Sequence, residues 1–113
     1  MEAESVFHSG KTFHQMALVP TEGSMELAKL IDKYLIQWSA GGPEAQDTYI
    51  IDCECPRFQS GDGKGLIKES VRGKDLYFVV DVGNYNIKYK MFGNENSMSP
   101  DDHYQDLKRL IQA

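Results

Sequence analysis

Apolar and polar positions follow two rhythms along this chain. Met16-Ala17-Leu18-Val19 is a short apolar run closed by Pro20, with the length and punctuation of a buried strand. From Met25 the period changes: Leu27, Leu30, Ile31, Tyr34, Leu35 and Trp38 recur at helical spacing, with Glu26, Lys29, Asp32 and Lys33 opposite. Ser24 stands as the N-cap, Glu26 suits the first turn, and Gly41-Gly42-Pro43 stops the helix. Residues 47–55 are strand-like around Tyr49, Ile50 and Ile51, and Pro56 closes them. The glycine-dense stretch 59–65 followed by Leu66-Ile67 makes this strand one arm of a β-hairpin. After a turn at 72–75, residues 76–82 have six apolar positions in seven, as in a strand covered on both faces. The Asn-rich residues 83–98 read as a loop. Ser99-Pro100-Asp101-Asp102 then opens a second helix, with Tyr104, Leu107, Leu110 and Ile111 on one face.

The order strand, helix, strand, hairpin strand, strand, helix predicts an α/β fold: a mainly parallel sheet flanked by helices, with a protruding β-hairpin. The polar residues 1–15 read as an N-terminal arm and residues 16–113 as the domain proper. The last helix runs out at Ile111-Gln112-Ala113 with no glycine cap and no following strand. A βα unit normally returns to its sheet, so the fold is expected to be unfinished at this point.

Composition narrows the class. At 113 residues the chain is one domain or part of one. With 41% hydrophobic and 26% charged residues it is expected to fold as a soluble globular protein rather than remain disordered. Twelve basic against 17 acidic residues leave a formal charge of −5, which argues against a dedicated nucleic-acid binder. No apolar run approaches the ~20 residues of a membrane span, and the acidic start Met1-Glu2-Ala3-Glu4 is unlike a signal peptide. A cytoplasmic location is expected.

Motifs within the chain have structural explanations. Cys53 and Cys55 share one face of a strand, a spacing that suits neither tetrahedral zinc nor a mutual disulfide, and read as small packing residues. The run Gly61-Asp62-Gly63-Lys64-Gly65 lacks the Ser or Thr and the following helix of a phosphate-binding loop, and reads as a hairpin turn. His8, His14 and His103 have no ligand spacing and read as surface or helix-face residues. Nothing assembles a nucleophile, a base and an orienting group, so no catalytic residue and no metal ligand is assigned within the chain.

Three stretches nevertheless carry a resemblance. Arg57-Phe58-Gln59-Ser60-Gly61-Asp62 resembles the pattern R/K-F-x-[ND]-x-E in order and spacing, departing from it at Ser60 and Asp62. Glu69-Ser70-Val71-Arg72-Gly73 reproduces E-S-V-R-G at an ungapped offset from Phe58, and an apolar strand follows. The closing Ser-Pro-Asp-Asp-His-Tyr-Gln-Asp-Leu helix is similar to N-D-x-x-M-E-L-L. Over residues 16–113 the chain resembles the N-terminal portion of the ribose-phosphate pyrophosphokinases. It looks most like a divergent bacterial branch with C-P-R-F and S-P-D-D-H-Y-Q-D-L-K-R.

The resemblance implies the first part of the first of two phosphoribosyltransferase-like domains. It implies transfer of the diphosphoryl group of Mg-ATP to ribose 5-phosphate, giving AMP and phosphoribosyl pyrophosphate in a homo-oligomer. The hairpin would reach a neighbouring subunit's site, with Phe58 stacked on adenine and Ser60 and Asp62 reading the base edge. Asp62 keeps a carboxylate where the family has Glu, and Ser60 replaces Asn or Asp. Ser70 and Arg72 match positions that line a regulatory phosphate/ADP site in many members. The catalytic cations, the metal-binding histidine and the Mg2+ ligands would lie outside the chain, leaving it inactive alone. The alternative is a non-catalytic nucleotide-sensing or oligomerisation module derived from the same family.

Overall fold

The computed structural model describes residues 15–43 and 45–113. The expected N-terminal arm, with His8 and His14, lies outside the described residues apart from Gln15. Strand β1 (Gln15–Pro20) is followed by a single 3-10 turn (Glu22–Ser24) and helix α1 (Met25–Ser39). The short strands β2 (Cys53–Glu54) and β3 (Leu66–Ile67) precede β4 (Lys74–Val79). A second hairpin, β5 (Lys88–Met91) and β6 (Asn94–Ser97), leads to helix α2 (Pro100–Gln112).

The central layer is small and parallel. β1 pairs with β4 in the register Ala17 to Leu76 and Val19 to Phe78, and on its other side Leu18 bridges Ile50 in parallel. Ala17 and Val19 share one face with Ile51, and Leu110 of α2 closes that face into a core. Cys53, Cys55, Ile67, Val71, Leu76 and Phe78 pack around it. The fold is thus α/β with a parallel pair, as expected, but its other two strand pairs are antiparallel hairpins.

Besides the capping role of Ser24, four local expectations are corrected. Residues 47–55 do not form one strand: residues 49–51 follow β1, after which the chain turns away and pairs with β3 at Cys53–Glu54. Residues 83–98 are not a loop throughout, because residues 88–97 form the β5–β6 hairpin.

The third correction is the buried face of α1. Ala28 and Asp32 point inward, while Leu27, Leu30, Tyr34 and Trp38 are exposed, Trp38 by 77%. The reason is a polar debt of the neighbouring segment. The Asp32 carboxylate accepts the Tyr49 N–H at 2.7 Å and the Thr48 hydroxyl at 2.8 Å, satisfying groups that would otherwise be orphaned. Small Ala28 lets the helix approach on the same side. Ser24 also departs from its expected capping role: its hydroxyl turns back to the carbonyl oxygens of Thr21, at 3.1 Å, and of Val79, making no cap bond.

The fourth correction concerns α2, whose start matches expectation. Ser99 and Asp102 form a reciprocal capping box with Pro100 in the first turn. Its buried residues, however, are His103, Asp106 and Leu110, while Tyr104 and Ile111 are more than half exposed. His103 is 0% exposed, on the helix face rather than the surface. Its Nε2–H donates to the Asn84 carbonyl at 2.6 Å, and the ring fills the space a Cβ on Gly23 would need. Among the described residues no helix is long and apolar enough to cross a membrane.

Candidate nucleotide-binding hairpin

Arg57 organises the hairpin that carries the candidate site. Beyond β2 and β3 the two arms touch again at the antiparallel bridge Arg57 to Gly63, leaving residues 58–62 as the tip. The Phe58 N–H donates to the Asp62 carbonyl at 2.7 Å and the Gly61 N–H to the Phe58 carbonyl at 2.9 Å. Gly61 has φ +93°, a conformation open to glycine at little cost. From beneath, Arg57 Nη1 donates to the Gly61 carbonyl at 2.9 Å, so the side chain holds its own loop closed.

The same guanidinium is anchored in the body of the protein. Its Nη2 lies 3.3 and 3.4 Å from the two oxygens of Asp106, which is 3% exposed. Arg109 Nη1 meets Asp106 at 2.6 Å, so one buried carboxylate is matched by two cations. The plane of Arg57 also covers the Tyr89 ring at 4.4 Å. α2 crosses so close to the hairpin that a Cβ on Gly65 would collide with the backbone at Arg109. Glycine is required there by proximity rather than by φ.

This frame leaves the tip residues in solvent. Phe58 is 55% exposed. The Ser60 hydroxyl lies 3.2 Å from Asp62 Oδ2 and accepts the Asp62 N–H at 3.4 Å. A serine O–H donated to the carboxylate orients it and leaves other lone pairs to accept from a ligand. Phe58, Ser60 and Asp62 are therefore brought together in one braced turn.

Ser70 and Arg72 lie apart from them, at the other end of β3. Both are exposed, and the Arg72 N–H donates to Ser70 Oγ at 3.3 Å. Gly73, at φ +75°, completes a turn closed by the Lys74 N–H to the Val71 carbonyl at 3.2 Å. A cleft of about 350 Å³ opens between the body and β5, bordered by Thr21, Cys53, Arg57, Lys88, Tyr89 and Asp106. None of the five predicted site residues lines it. Phe58 stands exposed on its braced tip, outside that cleft.

The cysteines behave as packing residues. Cys53 and Cys55 both pack against the core, with Sγ 3.6 Å from the Pro20 carbonyl and 3.7 Å from the Asp106 carbonyl, respectively. Burial, then the charge of Asp106, pushes the Cys55 thiol up to about 12; burial, then Asp52, raises Cys53. Both thiols stay protonated and poorly nucleophilic near neutrality. Among the described residues there is no group of three or more His, Cys, Asp or Glu that could hold a metal ion.

Sequence reading assigned no role to Arg57, Asp106 or Tyr89. Asp106 gave no signal, since an acid in a helix reads as solvated until its partners are known. The family model for the N-terminal domain of ribose phosphate pyrophosphokinase matches residues 16–113. No curated protein and no solved structure matches the chain. With the model spanning nearly the whole chain, from β1 through the braced hairpin to α2, the protein belongs to the family of the ribose phosphate pyrophosphokinase N-terminal domain.

Proposed function

We propose that this chain is the adenine-side portion of a ribose-phosphate diphosphokinase, which transfers the diphosphoryl group of Mg-ATP to ribose 5-phosphate. The observation that supports this best is Phe58, an aromatic ring left 55% exposed on a turn that Arg57 braces from a buried carboxylate. Holding an apolar ring in water on a rigid support is sensible if a flat partner covers it. Stacking on a base is typically worth ~1–3 kcal/mol. Asp62, oriented by Ser60, accepts from the base edge in this reading.

Phosphoryl transfer relies on cations positioned around the phosphates. In this reading those groups, and the residues that hold Mg2+ and ribose 5-phosphate, are outside the chain, which alone turns nothing over. The hairpin serves a neighbouring copy in a cytoplasmic homo-oligomer. Arg72 and Ser70 form a regulatory phosphate/ADP site, for which the exposed planar guanidinium of Arg72 is suited. The exposed apolar side of α1 favours a second reading, a non-catalytic nucleotide-sensing or assembly module.

The test is AMP release from Mg-ATP and ribose 5-phosphate by the natural gene product. Release of AMP, with Phe58→Ala raising KM for ATP more than KM for ribose 5-phosphate, is expected. Nucleotide binding without AMP release would select the sensing module, and unchanged constants in Phe58→Ala would remove the stacking role. Arg72→Ala is expected to blunt inhibition by ADP; an unchanged inhibition curve would return Arg72 to a solvated turn.

A further inference from the structure

The tip of the β5–β6 hairpin holds a residue in a conformation that its packing among the described residues does not justify. Phe92 and Gly93 form a two-residue turn with φ of 51° and 85°, the positive pair of a type I′ turn, which Asn-Gly fills best. Among the described residues Phe92 is the single non-glycine residue with positive φ. Bulky side chains are disfavoured there, and the Phe92 ring is 66% exposed, so packing does not compensate. Strain of this kind concentrates where a ligand is met.

What this turn does touch is the tip that carries Phe58. The Phe92 N–H donates to the Gln59 carbonyl at 2.8 Å. Met91 lies so close to Gly61 that a Cβ there would sit 2.9 Å from its sulfur. Two residues earlier on the same strand, Tyr89 lies under the Arg57 guanidinium. These contacts seat the second hairpin on the first. The joined tips present two exposed aromatic residues, Phe58 and Phe92, linked through the backbone of Gln59.

We infer that Phe92 is a second aromatic contact for the nucleobase, sharing with Phe58 the surface that takes adenine; this rests on the reading of Phe58 proposed above. Every base has a π face, so a ring at this position adds affinity for the base and none for the phosphate chain. Ser60 and Asp62, in the adjoining turn, retain the polar choice of base edge. The strained turn is the cost of placing a ring where asparagine would fold better.

The test titrates the natural gene product with ATP, and separately with inorganic tripolyphosphate, by NMR, in the wild type, Phe92→Asn and Phe58→Ala. Phe92→Asn restores the favoured turn sequence, so it is expected to raise Tm while weakening ATP binding about fivefold or more. Tripolyphosphate binding should not change. Unchanged ATP affinity in Phe92→Asn, together with a loss in Phe58→Ala, would overturn the second contact and leave the reading of Phe58 standing. Unchanged affinity in both variants, or no ATP binding by the wild type, would overturn the reading of Phe58 and the second contact with it. Equal losses for ATP and tripolyphosphate in Phe92→Asn would overturn the contact in favour of a structural effect of the turn.

Discussion

Asp106 carries the heaviest electrostatic load of any single side chain near the site. It is buried and meets Arg109 at 2.6 Å and Arg57 at 3.3 Å. Asp106→Asn keeps the shape but removes the charge, leaving two guanidinium groups to share a weak acceptor. A loss of about 2–4 kcal/mol in urea unfolding is expected, in the range for charged hydrogen bonds and broken buried pairs; a change below about 0.5 kcal/mol would contradict the brace. Cys55 gives a pH dependence of known sign. Its thiol ordinarily titrates at 9.0 and is held at about 12 in the fold. Below pH 9.0 both states keep the proton and the contribution is fully present. As pH rises from 9.0 through about 12 the unfolded chain loses the proton first, so stability falls. Cys55→Ala should flatten that part of the fall, and an unchanged slope would contradict the assignment. At this scale the sequence was legible where a residue's type announces its task. The glycine turn beside Phe58 was readable. Asp106 and His103 were not, because their burial is decided by Arg57, Arg109, Asn84 and Gly23, which only the fold brings near.

Between elements, the close crossing of α2 over the hairpin decides how the tip is held. A methyl group at Gly65 would meet the Arg109 backbone, whereas one at Gly73 meets nothing within 4 Å and suffers only from φ +75°. Gly65→Ala is therefore expected to cost about 1–3 kcal/mol or more, and Gly73→Ala about 1–2 kcal/mol. Thermal or urea denaturation of the pair checks the order; the reverse order would mean that α2 does not press on the hairpin. The start of α2 and the first hairpin were legible, because a capping box and turn glycines act locally. The face of α1 was not. Its strongest apolar stripe points outward, since the buried stripe was chosen by what Thr48 and Tyr49 needed from Asp32. The β5–β6 hairpin also escaped notice, since Asn94-Glu95-Asn96-Ser97 has no apolar alternation and its turn uses Phe-Gly in place of Asn-Gly.

Taken whole, the molecule is an α/β unit in which the described residues leave an apolar side of α1 exposed. Leu27, Leu30, Tyr34 and Trp38 lie along α1, with the Tyr34 and Trp38 rings 5.9 Å apart. Exposed apolar patches of this kind attract hydrophobic dyes. The native chain is expected to enhance anilinonaphthalene sulfonate fluorescence, and Leu30→Lys with Trp38→Lys to abolish most of it at unchanged secondary structure. Undiminished fluorescence would mean that the dye binds elsewhere. The fold class was legible as a whole, through the alternation of strand and helix, while the small extent of its parallel layer was not. The most direct test of the proposed function is saturation-transfer NMR on the natural gene product with excess ATP. Adenine H2 and H8 should receive saturation more strongly than the ribose protons, and Phe58→Ala should remove the effect. No transfer to adenine, or transfer undiminished in Phe58→Ala, would contradict a base-stacking role for the hairpin.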